Sequence, residues 1–397
     1  MGYSRSNSRQ HGEIISGLAV GQVCHSNFGG SSKAACRLAN ALAVRGHGSH
    51  VFSLEPAVWQ LHPNVIQHSV QPLSTLTGSP FYRNWALQDR DAFCDLLCNF
   101  LSSQHLDILH YHYAHPFADI IGQVARRLGA HMPVCIGTLH GTDLTQGCDD
   151  QDSLELLMDS FVNTDELTTV SSYMSALLQG LLPEAAPLRV LPNFVEDDWP
   201  QCDGDARPDK PPDTQVILHV SNYRPVKDTG LLARLFIQIH KQTGAELWLV
   251  GDGPDMPELR RTLDKSTAGS AVRYWGATPH PEGFFCQADL FLSTSRQESF
   301  GLAALEAMAS GVPVASSAVG GIPELILDNE TGIVFDPADA DIAVDRIVLL
   351  LGSPEKQHDM RKKSVGRAKM FRQSSLIGEY EAMYWSHVKS RSPRSAR

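Results

Sequence analysis

The chain has 397 residues, too many for one ordinary hydrophobic core, so two domains are expected. With 42% hydrophobic and 19% charged residues it has a globular rather than a disordered composition. A formal net charge of −11 argues against a nucleic-acid partner, which needs a basic face, and leaves any anionic ligand to a few local lysines and arginines.

Along the chain, short apolar runs alternate with helical patterns, the signature of βαβ units and parallel sheets. A polar opening, 1–14, precedes "ISGLAVGQVCH" (15–25), which reads as a buried strand, and "SKAACRLANALAVRG" (32–46), which reads as a helix. Between them "HSNFGGSSK" supplies glycines that let backbone approach a ligand. Ser31 or Ser32 is expected to cap the helix, whose first N–H groups favour an anion. "HLDILHYHY" and "PVCIGTLHG" are further strands. His110, His112 and His115 invite a metal site, but no carboxylate-and-histidine set completes one, so incidental strand histidines are expected and no metal. In "TLHGTD" a strand runs into His140, delivering a polar side chain at a strand end.

The segment 197–214 holds four prolines and many charges without periodicity, and reads as an interdomain linker. Beyond it the pattern restarts: strand "QVILHVSNY", helix "DTGLLARLFIQIHKQ", strand "AELWLVGDG", strands "AVRYWG" and "ADLFLSTS", helix "SFGLAALEAMASG", strand "VPVASSA", then a long helical region. The expected fold is α/β with two Rossmann-like domains, 15–196 and 215–370, a cleft between them, and a C-terminal helix in 371–397 returning to the first domain ahead of a basic tail. The eight cysteines are scattered without a CxxC pair, which reads as reduced thiols in a cytoplasmic protein. No apolar run approaches the roughly 18 residues of a membrane helix.

Arg224 and Lys227 in "SNYRPVK" follow a strand and suit a diphosphate, one as a fork and the other as a point charge. "VGDGPDM" places Met256 where a dinucleotide fingerprint needs its third glycine, so a nicotinamide enzyme loses its support. "ESFGLAALE" spaces Glu298 and Glu306 eight residues apart. On a helix that is about 12 Å, too far for the roughly 5–9.5 Å of a glycosidase pair. The two acids suit hydroxyls on either side of a phosphate bound at a helix N-terminus.

These segments resemble the retaining family-4 glycosyltransferases: "ESFGLAALE" is similar to their E-x7-E motif, and "LVGDGP", "GVPVASSAVGGIPELI" and "TGIVFDP" follow in family order over most of 215–340. "LHVSNYRPVK", "HYHYAHP" and "TLHGTD" look like the branch of that family that transfers N-acetylglucosamine to L-malate at the start of bacillithiol synthesis. The resemblance implies a UDP-N-acetylglucosamine donor as substrate, no cofactor, no metal, and a small-molecule acceptor. It assigns Glu306 to ribose hydroxyls and Glu298 to sugar hydroxyls. Gly30, Ser299, Phe300, Gly301 and Leu302 fall to the donor together with Arg224 and Lys227, Gly276 lies near the nucleobase, and His140 sits beside the sugar. His140, Arg224, Lys227 and Glu298 are the implied catalytic set. Ser31, Tyr113, Thr138, Asn222 and Arg224 are implied for the acceptor. The pattern departs at Gly29-Gly30-Ser31-Ser32, where the branch has GGSG, and 50–105 match weakly. Another small acceptor, a lipid carrier, an epimerase or a non-catalytic sugar-nucleotide binder are the rival readings. Membrane association is not expected, and a homodimer is compatible with the sequence.

Overall fold

Two all-parallel sheets organise the chain, as the computed structural model shows for residues 17–26, 28–70, 85–141, 143, 158–181, 187–202 and 214–391. The polar opening 1–14, residues 203–213 of the expected linker, Cys148 and the tail beyond 391 lie outside these described residues.

The first sheet contains β1 (Ala19–Val23), β2 (Gly48–Ser53), β3 (Val65–Ser69), β4 (Ile108–His112), β5 (Val134–Leu139), β6 (Glu166–Thr169) and β7 (Arg189–Val190), in the order β3-β2-β1-β4-β5-β6-β7. The second contains β8 (Val216–Val220), β9 (Glu246–Val250), β10 (Val272–Gly276), β11 (Leu290–Ser293), β12 (Val314–Ser317) and β13 (Gly332–Phe335), in the order β10-β9-β8-β11-β12-β13. Strand order reverses between β1 and β4 and between β8 and β11, and ligands of such folds bind outside the carboxyl ends of the strands at that reversal. Here those ends carry the loops after β1, β4, β5, β8 and β11. β4 and β5 are buried along their whole length, which is why their sequences read as continuous runs rather than alternating ones.

The helix expected at 32–46 spans Gly30–Val44, with Gly29 at its N-cap and no side-chain cap. The expected Ser31 or Ser32 cap is therefore corrected: both serines lie inside the first turn. The helix after β8 begins at Thr229, where Asp228, in the left-handed region, accepts from the N–H of Leu231 at 3.0 Å. Strands β2 and β3 and the helix Leu87–Ser103 fill the region where family motifs are weak.

The last helix, Gln373–Arg391, leaves the second domain and lies on the first. Arg45 meets Glu381 at 2.5 Å, Arg391 meets Asp165 at 2.8 Å, and the Tyr384 ring is fully buried beside β4. Burying a side chain of that size stabilises by roughly 1.5–3 kcal/mol, so the helix is a working part of the first core. The expectation of reduced thiols throughout is also corrected. Cys202 and Cys286, 84 residues apart, are disulfide-bonded, because folding brings the crossover segment against the helix Glu282–Gln287. Cys24, Cys36, Cys94, Cys98 and Cys135 are unbridged. Among the described residues no helix is long and apolar enough to cross a membrane.

Candidate active site

A cavity of about 580 Å³ separates the two domains. Its second-domain wall is charged. Arg224, Lys227, Glu298 and Glu306 line it, with Asn222, Ser299 and Leu302. Lys227 Nζ lies 2.7 Å from Glu298 Oε2, and Arg224 Nε donates to Asn222 Oδ1 at 3.2 Å. The helix Leu302–Ala309 starts at the cavity without a side-chain cap, so its first amides and its dipole face the space between the domains. Gly301 precedes it at φ +95°, where a Cβ would meet Ile322 Cδ1 at 2.7 Å, so only glycine suits the turn that aims these amides. Gly320 presses closer still on the carbonyl of Glu298, where a Cβ would stand 1.8 Å from the oxygen, and the N–H of Gly321 donates to the same carbonyl at 2.9 Å. The run "GGIPE" thereby fixes the backbone of Glu298.

Glu306 is 2% exposed, and two cations from the first domain converge on it. Its Oε1 pairs with Lys33 Nζ and with Arg37 Nη2, the latter at 2.8 Å, and Arg37 Nε reaches Glu196 at 2.8 Å. Lys33 stands 4.8 Å from the Trp59 ring centre, and Arg37 stands 5.1 Å from that of Trp199. Desolvation by burial pulls the Lys33 pKa below its ordinary value against the pull of Glu306. Sequence reasoning missed this cluster. The signal was a Lys and an Arg four residues apart on a helix whose remaining face is apolar. Glu324 adds a second tie between domains, accepting from the N–H groups of Ser172 and Tyr173 at 2.9 and 2.6 Å, and so capping the helix Ser172–Leu181. At Gly141 a Cβ would fall 1.7 Å from Ser299 Oγ, so the two walls touch there.

Apart from Lys33, the first-domain wall is neutral and aromatic, with Gly30, Ser31, Tyr113 and His140 among its residues. Tyr113 takes φ +95°, uncommon for an aromatic residue, and its N–H donates to the carbonyl of Thr138 at 3.0 Å. The carboxylate of Asp143 accepts from the backbone N–H groups of His140, Gly141 and Ala114 at 2.6–3.2 Å. It knots together the ends of β4 and β5. Burial raises its pKa against those bonds. Asp143 stands in "TLHGTD", and the Asx-turn chemistry of that aspartate was the sign of its role.

Four expected residues fall outside the cavity lining. Thr138 is 1% exposed and bonds His110 and Thr168, both at 2.7 Å, because its side chain turns into the domain interior from the end of β5. Phe300 is buried against Phe371, leaving only its backbone near the site. Gly276 lies outside the cavity with its carbonyl accepting from Gly251 at 2.7 Å, and Ala277 and Thr278 take its place in the wall. Trp275 packs against Trp248 and Phe284. Gly301 lies just behind the wall, in a small void beside Lys227 and Glu298.

The geometry combines two cations, a helix N-terminus and paired carboxylates along one elongated cavity, which suits a ligand with a diphosphate between two hydroxylated rings. Residues 28–199 match the family model described as Glycosyltransferase Family 4, and residues 204–366 match that of Glycosyl transferases group 1. The N-acetyl-alpha-D-glucosaminyl L-malate synthase of Bacillus anthracis is 28% identical over 94% of this chain and 98% of its own length. A D-inositol 3-phosphate glycosyltransferase of Segniliparus rotundus is 30% identical over 40% of this chain and 37% of its own. Among solved structures, the sucrose-phosphate synthase of Thermosynechococcus elongatus superimposes with a TM-score of 0.79 at 22% identity, covering 94% of this chain and 99% of that one.

Proposed function

From the premise that this chain is a family-4 glycosyltransferase of the two-domain GT-B type, we propose that it transfers N-acetylglucosamine from UDP-N-acetylglucosamine, with retention, to the hydroxyl of L-malate. The observation that carries the donor side is the convergence of Arg224, Lys227 and the uncapped helix at Leu302 on one wall of the cavity. The near full-length likeness to an N-acetyl-alpha-D-glucosaminyl L-malate synthase supports the acceptor.

The diphosphate lies against Arg224, Lys227 and the helix amides, which stabilise negative charge as the bond to the anomeric carbon breaks. The acceptor oxygen forms the new bond on the face the diphosphate leaves, and its proton passes to the departing phosphate oxygen. Glu298, paired with Lys227 at 2.7 Å, orients that lysine and accepts from a sugar hydroxyl. Holding both substrates in the closed cleft supplies much of the rate. Malate carboxylates meet Ser31, Asn222 and Arg224, with Tyr113 beside them; Thr138 supports that wall from behind.

Purified protein incubated with UDP-N-acetylglucosamine and L-malate should release UDP and yield a glycosyl-malate of the summed mass less UDP, with the α anomer in its NMR spectrum. UDP release with a different small acceptor and none with malate would overturn the acceptor alone. A β product would overturn retention.

A further inference from the structure

Behind the first-domain wall seven side chains form one continuous hydrogen-bonded chain: His140, His112, Gln22, Tyr384, His110, Thr138 and Thr168. All but His140 are 2% exposed or less, so no water completes their bonds from outside. The links run His140 Nε2 to His112 Nδ1 at 3.1 Å and His112 Nε2 to Gln22 Oε1 at 2.8 Å. Gln22 Nε2 then reaches the Tyr384 hydroxyl at 3.4 Å, and that hydroxyl meets His110 Nδ1 at 2.7 Å. His110 Nε2 meets Thr138 Oγ1 at 2.7 Å, and Thr138 meets Thr168 at 2.7 Å. Thr168 ends the chain on the carbonyl of Gly137 at 3.4 Å.

A chain of this kind has one direction once its ends are fixed. The carbonyl of Gly137 only accepts, so Thr168 donates to it and must accept from Thr138. Thr138 then accepts from His110 Nε2–H, which leaves His110 Nδ1 to accept from Tyr384. The Tyr384 oxygen accepts from the Gln22 amide nitrogen, and the Gln22 amide oxygen accepts from His112 Nε2–H. His112 Nδ1 is left to accept, and the proton it accepts is His140 Nε2–H. Burial holds the histidines neutral, with His110 and His140 pulled down to about 3 and His112 well below its ordinary value. Each ring therefore carries one proton, and His140 has spent its own on His112. Its other nitrogen, Nδ1, makes no bond to any described residue, and the ring lines the cavity.

We propose that Gln22, His112 and Tyr384 are positioning residues that lock His140 in the Nε2–H tautomer, so that it meets the bound donor through the Nδ1 lone pair and accepts from a sugar hydroxyl. The ligand in this statement rests on the glycosyl-transfer reading; the tautomer does not. His140 so placed is no partner for a phosphate oxygen, which cannot donate, and the diphosphate is left to the opposite wall. The last helix acquires a function by the same route: residue 384 completes a network that ends at the cavity.

The test is a two-bond 1H–15N correlation spectrum of the histidine-labelled full chain without substrate, with the His140 signals identified by their loss in His140→Asn. The proposal expects a single neutral Nε2–H tautomer for His140 between pH 6 and 8; an Nδ1–H or protonated ring overturns it. Tyr384→Phe, which removes one oxygen, and Gln22→Met, which keeps the volume, should each bring in the second tautomer. With donor and acceptor they should lower kcat about three- to tenfold, the worth of one hydrogen bond, with UDP affinity unchanged. Unaltered tautomer and kcat in both variants would overturn the positioning role. Because the spectrum needs no substrate, a correct tautomer in a protein that transfers no sugar would sink the glycosyl-transfer reading and leave the relay standing.

Discussion

The two walls of the cavity solve the same problem by opposite means. The second-domain wall is charged and local: Arg224 and Lys227 come from one loop, and Glu298 to Glu306 from one turn and helix. Apart from Lys33, the first-domain wall is neutral and assembled from afar, with His140 supported by residues of β1, β4 and the last helix. Charge stabilisation needs only a few ions at the correct strand ends, whereas a fixed neutral imidazole needs every buried partner satisfied. A wall of a few charges can be short in sequence; a wall that rests on one buried network cannot.

Breaking the charged wall should give the largest effect. Lys227→Ala is expected to lower kcat by about 10²–10³, the worth of a stabilising group at a developing charge, measured by UDP release, with Arg224→Lys failing to restore a lost Arg fork. A Lys227→Ala rate within a few-fold of wild type would remove the diphosphate from this wall.

The neutral wall should answer to pH instead. His110 and His140, with folded values of about 3, and His112, held well below its ordinary value by burial, bind fewer protons than the unfolded chain does below about 6.5. The unfolded state then takes up more protons, so stability rises with pH: it is fully present above about 6.5 and is lost as pH falls toward the folded values. Urea unfolding at pH 7 and 5.5 should show a loss on the order of 1 kcal/mol per histidine, and His110→Gln should shrink the difference. Equal stabilities at the two pH values would mean the three rings are not held neutral.

Where the walls meet, Glu306 sharpens the comparison, since its resemblance-based role is ribose binding and its observed partners are Lys33 and Arg37. Glu306→Gln leaves two buried cations with a weaker acceptor and should cost about 2 kcal/mol of stability, read by thermal melting, besides weakening UDP in calorimetry. Glu298→Gln should leave UDP affinity nearly intact while lowering transfer. Equal calorimetric losses in both variants would sink that division of roles. The smallest change is expected from Glu324→Ala, which removes an interdomain helix cap worth about 1 kcal/mol. Small-angle scattering should then report a more open cleft, and an unchanged profile would deny Glu324 a part in closure.

Much of this protein was determined by its sequence alone. Apolar runs separated by helical patterns gave two parallel sheets, because a strand covered on both faces must be apolar throughout. The strand-end motifs gave Arg224, Lys227, Glu298 and His140, because a residue just after a parallel strand faces the cleft whatever the rest of the chain does. Tertiary structure alone decided the rest. Thr138 reads as a strand-end residue until the register of β5 turns it toward His110. Glu306 reads as a ligand until Lys33 and Arg37 arrive from a helix some 270 residues earlier. Cys202 and Cys286 read as unrelated thiols, and Tyr384 as one aromatic in a late helix. Each depends on partners far apart in the chain, and buried polar groups choose partners by proximity in space, which no local spacing encodes.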